Sequence, residues 1–448
     1  RQVRFNGKSV SILNDVSLSI APREFVALVG PSGSGKSTLL NALSGYIPAT
    51  AGEVRVNGDD FYRHFAAYRT LLGYVPQDDI IHRTLTVEHA LVYAAQLRLP
   101  EDTDPDEINL RIEQVLADVE MLNHCHKLVD NLSGGQRKRV SIGVELLADP
   151  SLFFLDEPTS GLDPGLEKKM MYMLRRLADS GRTVLLITHA TANITQCDQV
   201  LFMADGRMIY FGPPREALSF FYVSSGDFAD IYTKLDGQAE DYPQLVQHEL
   251  QREYAIWRAS NPHHEGPRLA ELWEEKYRRS PQYQRYVTDR LTQMPQESAI
   301  AQSGANGGQS APRVSSLRQF AILTSRYLEL TLQDRRNLLI LLLQAPVIAL
   351  LLLLVARSDA LVMSQAQGVV QRNEAQKVLF ILATVSVWFG IINAAREITK
   401  ELPVFRRERL VNLRLGPYIC SKLAVLSLLV LVQSTILLLI LGIKVDYP

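Results

Sequence analysis

Three apolar runs, Asn337 to Ala356, Val378 to Ala395 and Leu423 to Ile443, constrain this chain more than any other feature. Each has about the ~20 residues that a helix needs to cross a hydrocarbon layer of ~30 Å. In lipid every backbone N–H and C=O must be satisfied within the segment, so nearly uncharged runs of this length specify membrane-spanning helices. Core helices of a large soluble protein are the competing reading, and three such runs argue against it. Basic residues set the orientation. Arg326, Arg335 and Arg336 precede the first run, and Arg396, Lys400, Arg406, Arg407, Arg409, Arg414 and Lys422 lie between the second and third. The connection between the first two holds mainly Arg357, Arg372 and Lys377. The part ahead of the runs and the second connection are therefore expected on the cytoplasmic side.

At 448 residues the chain exceeds what one hydrophobic core supports. Residues 1–225 alternate short apolar runs (Phe25 to Val29, Leu152 to Leu155, Val184 to Ile187) with helical patterns, the mark of an α/β domain with a mostly parallel sheet. Residues 226–316 read as a helical connector followed by a flexible linker, "SAIAQSGANGGQSAP". Residues 317–448 form a partial all-α membrane domain with spans about 337–356, 378–395 and 423–443. Segment 396–418 is a cytoplasmic connection that is basic, amphipathic-looking and interrupted at Pro403. A net charge of -1 gives no basic field for nucleic acid, which is not expected as a partner. Three scattered cysteines, Cys125, Cys197 and Cys420, indicate neither disulfides nor a thiolate metal site. The start "RQVRFNGKSV" has no Met and no signal peptide, so a cut or processed N-terminus is expected.

Residues Gly30, Pro31, Ser32, Gly33, Ser34, Gly35, Lys36, Ser37 and Thr38 spell "GPSGSGKST" between the strand "FVALV" and a helix-like stretch. Glycines let backbone N–H groups wrap phosphates, Lys36 reaches β/γ oxygens, and Ser37 can hold Mg²⁺. A nucleoside triphosphate is expected there. "SLFFLDE" then supplies Asp156 as the magnesium carboxylate after an apolar strand, with Glu157 next to it as general base for an attacking water. His189, just past the strand "LLIT", and Gln77, in a loop after "GYV", are placed to orient that water, and Gln77 also to reach the metal. Phe5 opens onto two roles, stacking on an adenine or packing within its strand. "NLSGGQRKRV" poses a further question: Ser133, Gly134, Gly135 and Gln136 make a second anion-type helix start with no lysine of the loop kind, and one nucleotide should not need two such loops.

The ordered set formed by the phosphate loop, Gln77, "LSGGQ", "LFFLDE", "SGLD" (Ser160 to Asp163) and His189 resembles the ATP-binding cassette of ABC transporters. "VPQDD", "LTVEHALVYAAQLRLP" and the cassette-first order look like the G (white/pigment-type) subfamily in its bacterial style, strongly over about 225 residues. "NAAREITKELPVFRRERL" and "RLGPYICSKL" carry the likeness more loosely into the membrane part. The resemblance implies a P-loop NTPase fold followed by a transmembrane domain, ATP and Mg²⁺ as cofactors, and head-to-tail pairing. Each ATP would lie between the phosphate loop of one cassette and the Ser133–Gln136 signature of the other, with Asp163 in the same site. It also implies a second half-transporter as partner, most simply an identical copy, and export of an unread substrate across the plasma (inner) membrane. The family has six membrane helices per half-transporter and this chain shows three, so it reads as a half-transporter truncated in its membrane domain. Other readings are a membrane-anchored ATP-dependent scaffold or sensor, and a soluble switch ATPase, which the apolar runs disfavour. His263 and His264 read as solvated.

Overall fold

The computed structural model describes residues 2–5, 8–189, 191–235, 245–246, 248–260, 266–293, 314–355, 368–395, 397–411 and 413–445. His263, His264 and the expected linker at 298–312 lie outside them. The chain divides into two compact units. The first comprises 1–79, 105–125 and 132–312, and the second 80–104, 126–131 and 313–448.

In the first unit, β1 (Gln2–Phe5) and β2 (Lys8–Ser11) form an antiparallel hairpin. The main sheet holds β3 (Phe25–Val29), β6 (Leu72–Val75), β7 (Leu152–Asp156), β8 (Thr183–Ile187), β9 (Gln199–Ala204) and β10 (Arg207–Gly212) in the order β10-β9-β3-β8-β7-β6; a small pair, β4 (Arg55–Val56) with β5 (Asp59–Asp60), lies apart. All neighbouring pairs in the main sheet are parallel except β9 with β10. Every residue of "FVALV" and "TVLLI" is buried, as expected for parallel strands covered on both faces. Helices α1 (Lys36–Leu43), α2 (Gly134–Leu146) and α3 (Pro164–Asp179) pack on this sheet. Because β3, β8, β7 and β6 are consecutive and parallel, their carboxyl ends share one edge, where α/β sheets bind ligands.

Residue 225 is not a boundary of packing. Helix α4 (Leu269–Arg278) buries Trp273 completely, with its ring 4.9 Å from that of Phe221, and the Tyr277 hydroxyl donates to the Phe211 carbonyl of β10 at 2.6 Å. Arg207 pairs with Glu274 at 2.6 Å and Glu271 at 3.2 Å. The polar, aromatic connector thus covers the outer strand of the sheet, which explains its tryptophan and tyrosines.

The second unit joins five helices: α5 (Val87–Arg98), α6 (Ser316–Gln333), α7 (Arg335–Val355), α8 (Glu397–Val411) and α9 (Leu415–Leu441), with a further long helix over 368–394. Stretch 80–104 belongs here because the apolar side of α5 has partners here: Leu97 joins Ile322, Leu323, Leu413 and Tyr418 in a buried cluster. Tyr93 Oη donates to Glu329 at 2.6 Å, and Arg326 forks onto both oxygens of Glu408 at 2.6 and 2.9 Å. Among the described residues, three helices are long and apolar enough to cross a membrane: α7, the helix over 368–394 and α9. The sequence suggested an interruption at Pro403, but α8 runs through it, although a proline nitrogen has no hydrogen to donate to the helix ladder. The polar residues of the spans divide. Asn393 Nδ2 donates to Gln433 Oε1 at 2.8 Å, Gln433 Nε2 to the Leu341 carbonyl at 2.7 Å, and Ser434 to Ser386 at 3.3 Å, all between helices. Thr384 and Thr435 instead bond back to carbonyls of their own turns.

Candidate functional site

Four loops leave the shared strand edge and carry the residues singled out from the sequence. After β3, the loop 30–38 wraps into α1. Gly30 has φ +146, and a Cβ there would stand 2.1 Å from the Met203 carbonyl oxygen, so only glycine fits. Gly35 at φ +96 starts α1 with no side chain capping it, which leaves its first N–H groups for an anion. Lys36 is 6% exposed and donates to the carbonyls of Gly30 at 2.8 Å and Pro31 at 2.9 Å. Burial pushes its ammonium below the usual lysine range, opposed by the charges of Glu157 and Asp156. Ser34 is 3% exposed, and its hydroxyl has no hydrogen-bond partner among the described residues. Pro31 is half-buried and Ser32 and Gly33 are exposed on the outer turn of the loop, while Thr38 is half-buried in the first turn of α1. An uncapped helix start, a retractable buried ammonium and an orphaned hydroxyl suit a polyphosphate.

At the end of β7, Asp156 is 9% exposed and accepts from the Ser37 hydroxyl at 3.3 Å. Burial raises its carboxyl, the Ser37 bond lowers it, and Glu157 raises it further. A carboxylate beside a hydroxyl, with the loop before them, is an all-oxygen donor pair suited to a hard cation such as Mg²⁺. Glu157 follows in the left-handed region at φ +48, a conformation costing roughly 1–3 kcal/mol for a residue with a side chain. That turn aims its carboxylate at two neighbours: Gln77 Nε2 donates to Oε2 at 3.0 Å, and His189 Nε2 lies 3.0 Å from Oε1. Residues 77, 157 and 189, each past the end of a different parallel strand, thus meet at one carboxylate. With both oxygens held, the Glu157 carboxylate is fixed in orientation.

The signature sits elsewhere. Ser133 caps α2 by accepting from the Gln136 N–H at 3.3 Å, while the Gln136 side chain accepts from the Ser133 N–H at 3.0 Å. Ser133 and Gly134 are exposed, and open space surrounds Gly134 where a side chain would stand; Gly135 is buried, its would-be Cβ 3.2 Å from Leu162. Among the described residues no hydrogen bond joins residues 132–136 to the phosphate loop. As an acceptor in the cap, the Ser133 hydroxyl still has its proton to donate outward. Asp163 caps α3, accepting from the N–H groups of Gly165 and Leu166 at 3.0 Å each. The strand β1 ends at Phe5, whose side chain lies outside the described residues.

The sequence reading missed Lys138. It is 5% exposed and donates to the carbonyls of Gln77 at 2.5 Å and Pro76 at 3.2 Å, with Asp79 Oδ1 at 3.4 Å. In "QRKRV" it reads as one of three solvated charges, and only its burial separates it from its neighbours.

Residues 13–160 match the ABC transporter family, and residues 318–448 match the ABC-2 type transporter family. Among curated relatives, the ABC transporter ATP-binding/permease protein of Mycobacterium tuberculosis is 35% identical over 427 residues, 95% of this chain and 44% of that protein. ABC transporter G family member 14 of Arabidopsis thaliana is 39% identical over 226 residues, 48% of this chain and 34% of that one. The chain therefore spans less than half the length of these relatives. A solved ATP-binding cassette, a dimer in a post-hydrolysis state with ADP and Pi, overlaps 48% of this chain and 95% of its own at 26% identity and a TM-score of 0.44.

Proposed function

The chain belongs to the ABC transporters, an ATP-binding cassette placed ahead of an ABC-2 type membrane domain, and from that premise we propose that it is the ATP-hydrolysing half of an exporter working as a pair. The cassette extends past residue 225 through α4, and the membrane domain begins near residue 317. The basic residues flanking the spans support a multi-pass placement in the plasma (inner) membrane with the cassette in the cytoplasm.

The observation carrying this reading is the separation of the two anion-type helix starts. The phosphate loop, Asp156, Glu157, Gln77 and His189 are assembled within one chain, while Ser133 and Gly134 stay exposed and unbonded to that loop. A second cassette would supply the missing half, most simply an identical copy. In such a pair, the loop N–H groups and Lys36 hold the ATP phosphates, and Ser133, Gly134, Gly135 and Gln136 of the other chain close over them, with Asp163 beside them. Phe5 is the aromatic available to the adenine. Ser37, Asp156 and Gln77 hold Mg²⁺, which would neutralise charge on the β- and γ-phosphates. Glu157, held by Gln77 and His189, takes the proton of the attacking water. Pairing and release of the cassettes then drive the spans, and export follows the family likeness.

The test compares ATP hydrolysis and dimer formation of the detergent-purified chain with those of Glu157→Gln. Turnover should fall by about 100-fold or more, as expected for loss of a general base, and an ATP-bound dimer should accumulate. A mutant that hydrolyses like wild type and stays monomeric would refute the reading.

A further inference from the structure

We infer that Lys138 is a positioning residue that ties the signature helix to the Gln77 loop, so that a nucleotide engaged by the signature in one site is felt at Glu157 in the other. This deepens the paired-cassette reading above and rests on it.

The geometry is short and closed. Lys138 lies four residues after Gly134, about 6 Å along the same helix, and so moves with the signature as a rigid body. Its buried ammonium has few alternatives to the carbonyls of Gln77 and Pro76 and the Asp79 carboxylate, since leaving such a charge unpaired is costly. Arg137, its neighbour, donates to the Leu132 carbonyl at 2.5 Å and approaches Asp79 at 3.8 Å, so the same carboxylate steadies both cations. Gln77 carries both ends of the link: its carbonyl is held by Lys138, and its side chain donates to Glu157 Oε2 at 3.0 Å. A shift of α2 toward a nucleotide seated on the partner therefore displaces the residue that orients the base in this chain's own site. The lysine suits this role because it reaches two successive carbonyls from one point, which a methionine of similar length cannot do.

The experiment is a double-mutant cycle on ATP turnover of the full chain, with wild type, Lys138→Met, Gln77→Ala and the double variant. Lys138→Met should lower kcat about tenfold, in keeping with the sensitivity of such steps to small misplacements. KM for ATP should stay within about twofold and the Hill coefficient should fall toward 1. The double variant should be no slower than Gln77→Ala alone, and Lys138→Arg should recover part of the loss. Losses that multiply in the double variant, or an unchanged kcat and Hill coefficient in Lys138→Met, overturn the inference. Hydrogen exchange gives a readout independent of activity. The peptide 73–80 should exchange faster in Lys138→Met while 25–29 does not change, and equal exchange in both proteins overturns the anchor. A wild-type chain without ATPase activity would sink the proposed function, and exchange would still decide the anchor. If Lys138→Met does not fold, Lys138→Gln and Lys138→Arg carry the same cycle.

Discussion

Replacing Arg326 by Met isolates the cost of a buried charge. Arg326 is 4% exposed and meets both carboxylate oxygens of Glu408 at 2.6 and 2.9 Å, so α6 and α8 are joined by a planar two-bond fork. The Glu408 side chain is 15% exposed, so water can stand in for the guanidinium only in part when it is removed. Methionine keeps most of the volume, and the apolar cluster of Leu97, Ile322, Leu323, Leu413 and Tyr418 keeps its neighbours. The loss is therefore mainly electrostatic. Breaking a buried pair from one side typically costs about 3–5 kcal/mol, whereas replacing both partners by apolar residues is often close to neutral. Arg326→Met should thus lower the unfolding midpoint of the purified chain by roughly 10 °C, and the added change Glu408→Met should restore most of it. Thermal unfolding of wild type, both single variants and the double variant in the same detergent completes the cycle. A coupling under about 1 kcal/mol, the range of surface pairs, would refute the premise that this fork is shielded from solvent.

His82 predicts a pH response in the same unit. Burial, with Arg326 and Lys422 opposed by Glu401 and Glu408, pushes its imidazole down to about 4 from 6.5. The folded state thus favours neutral His82; stability is complete above about pH 6.5 and falls as pH drops toward 4, by at most about 3 kcal/mol. His82→Gln should flatten that part of the pH–stability curve, and an unaltered slope would contradict it. Trp273→Ala should destabilise the first unit by about 3–5 kcal/mol, read by calorimetry; an unchanged transition would mean that α4 is not part of that core. Ser133→Ala removes a cap worth about 1 kcal/mol yet should leave ATP affinity at the chain's own phosphate loop unchanged. Weakened binding by the isolated monomer would place the signature in the wrong site.

The phosphate loop, the Asp156–Glu157 pair, the signature and the apolar spans were legible in the sequence because each records a local rule. Glycine stands where Gly30 has no room for a Cβ, a carboxylate ends a buried strand, and an uncharged run of about 20 residues satisfies its own backbone. Gln77 and His189 were legible as strand-end residues. Their meeting at Glu157, however, depends on the order β3-β8-β7-β6, which is set by long-range strand pairing. The same holds for Trp273 and Tyr277, where a polar connector proved to cover the outer strand, and for stretch 80–104, claimed by the second unit through Leu97 and Tyr93. Lys138 marks the limit most clearly. A run of three cations gives no reason to single it out from Arg137 and Arg139, whereas the carbonyls of Pro76 and Gln77 draw it inside. Sequence determines what each segment can do alone, through backbone freedom, charge and apolar length. The tertiary structure decides which segments meet, because burial and electrostatic pairing act between residues far apart in the chain.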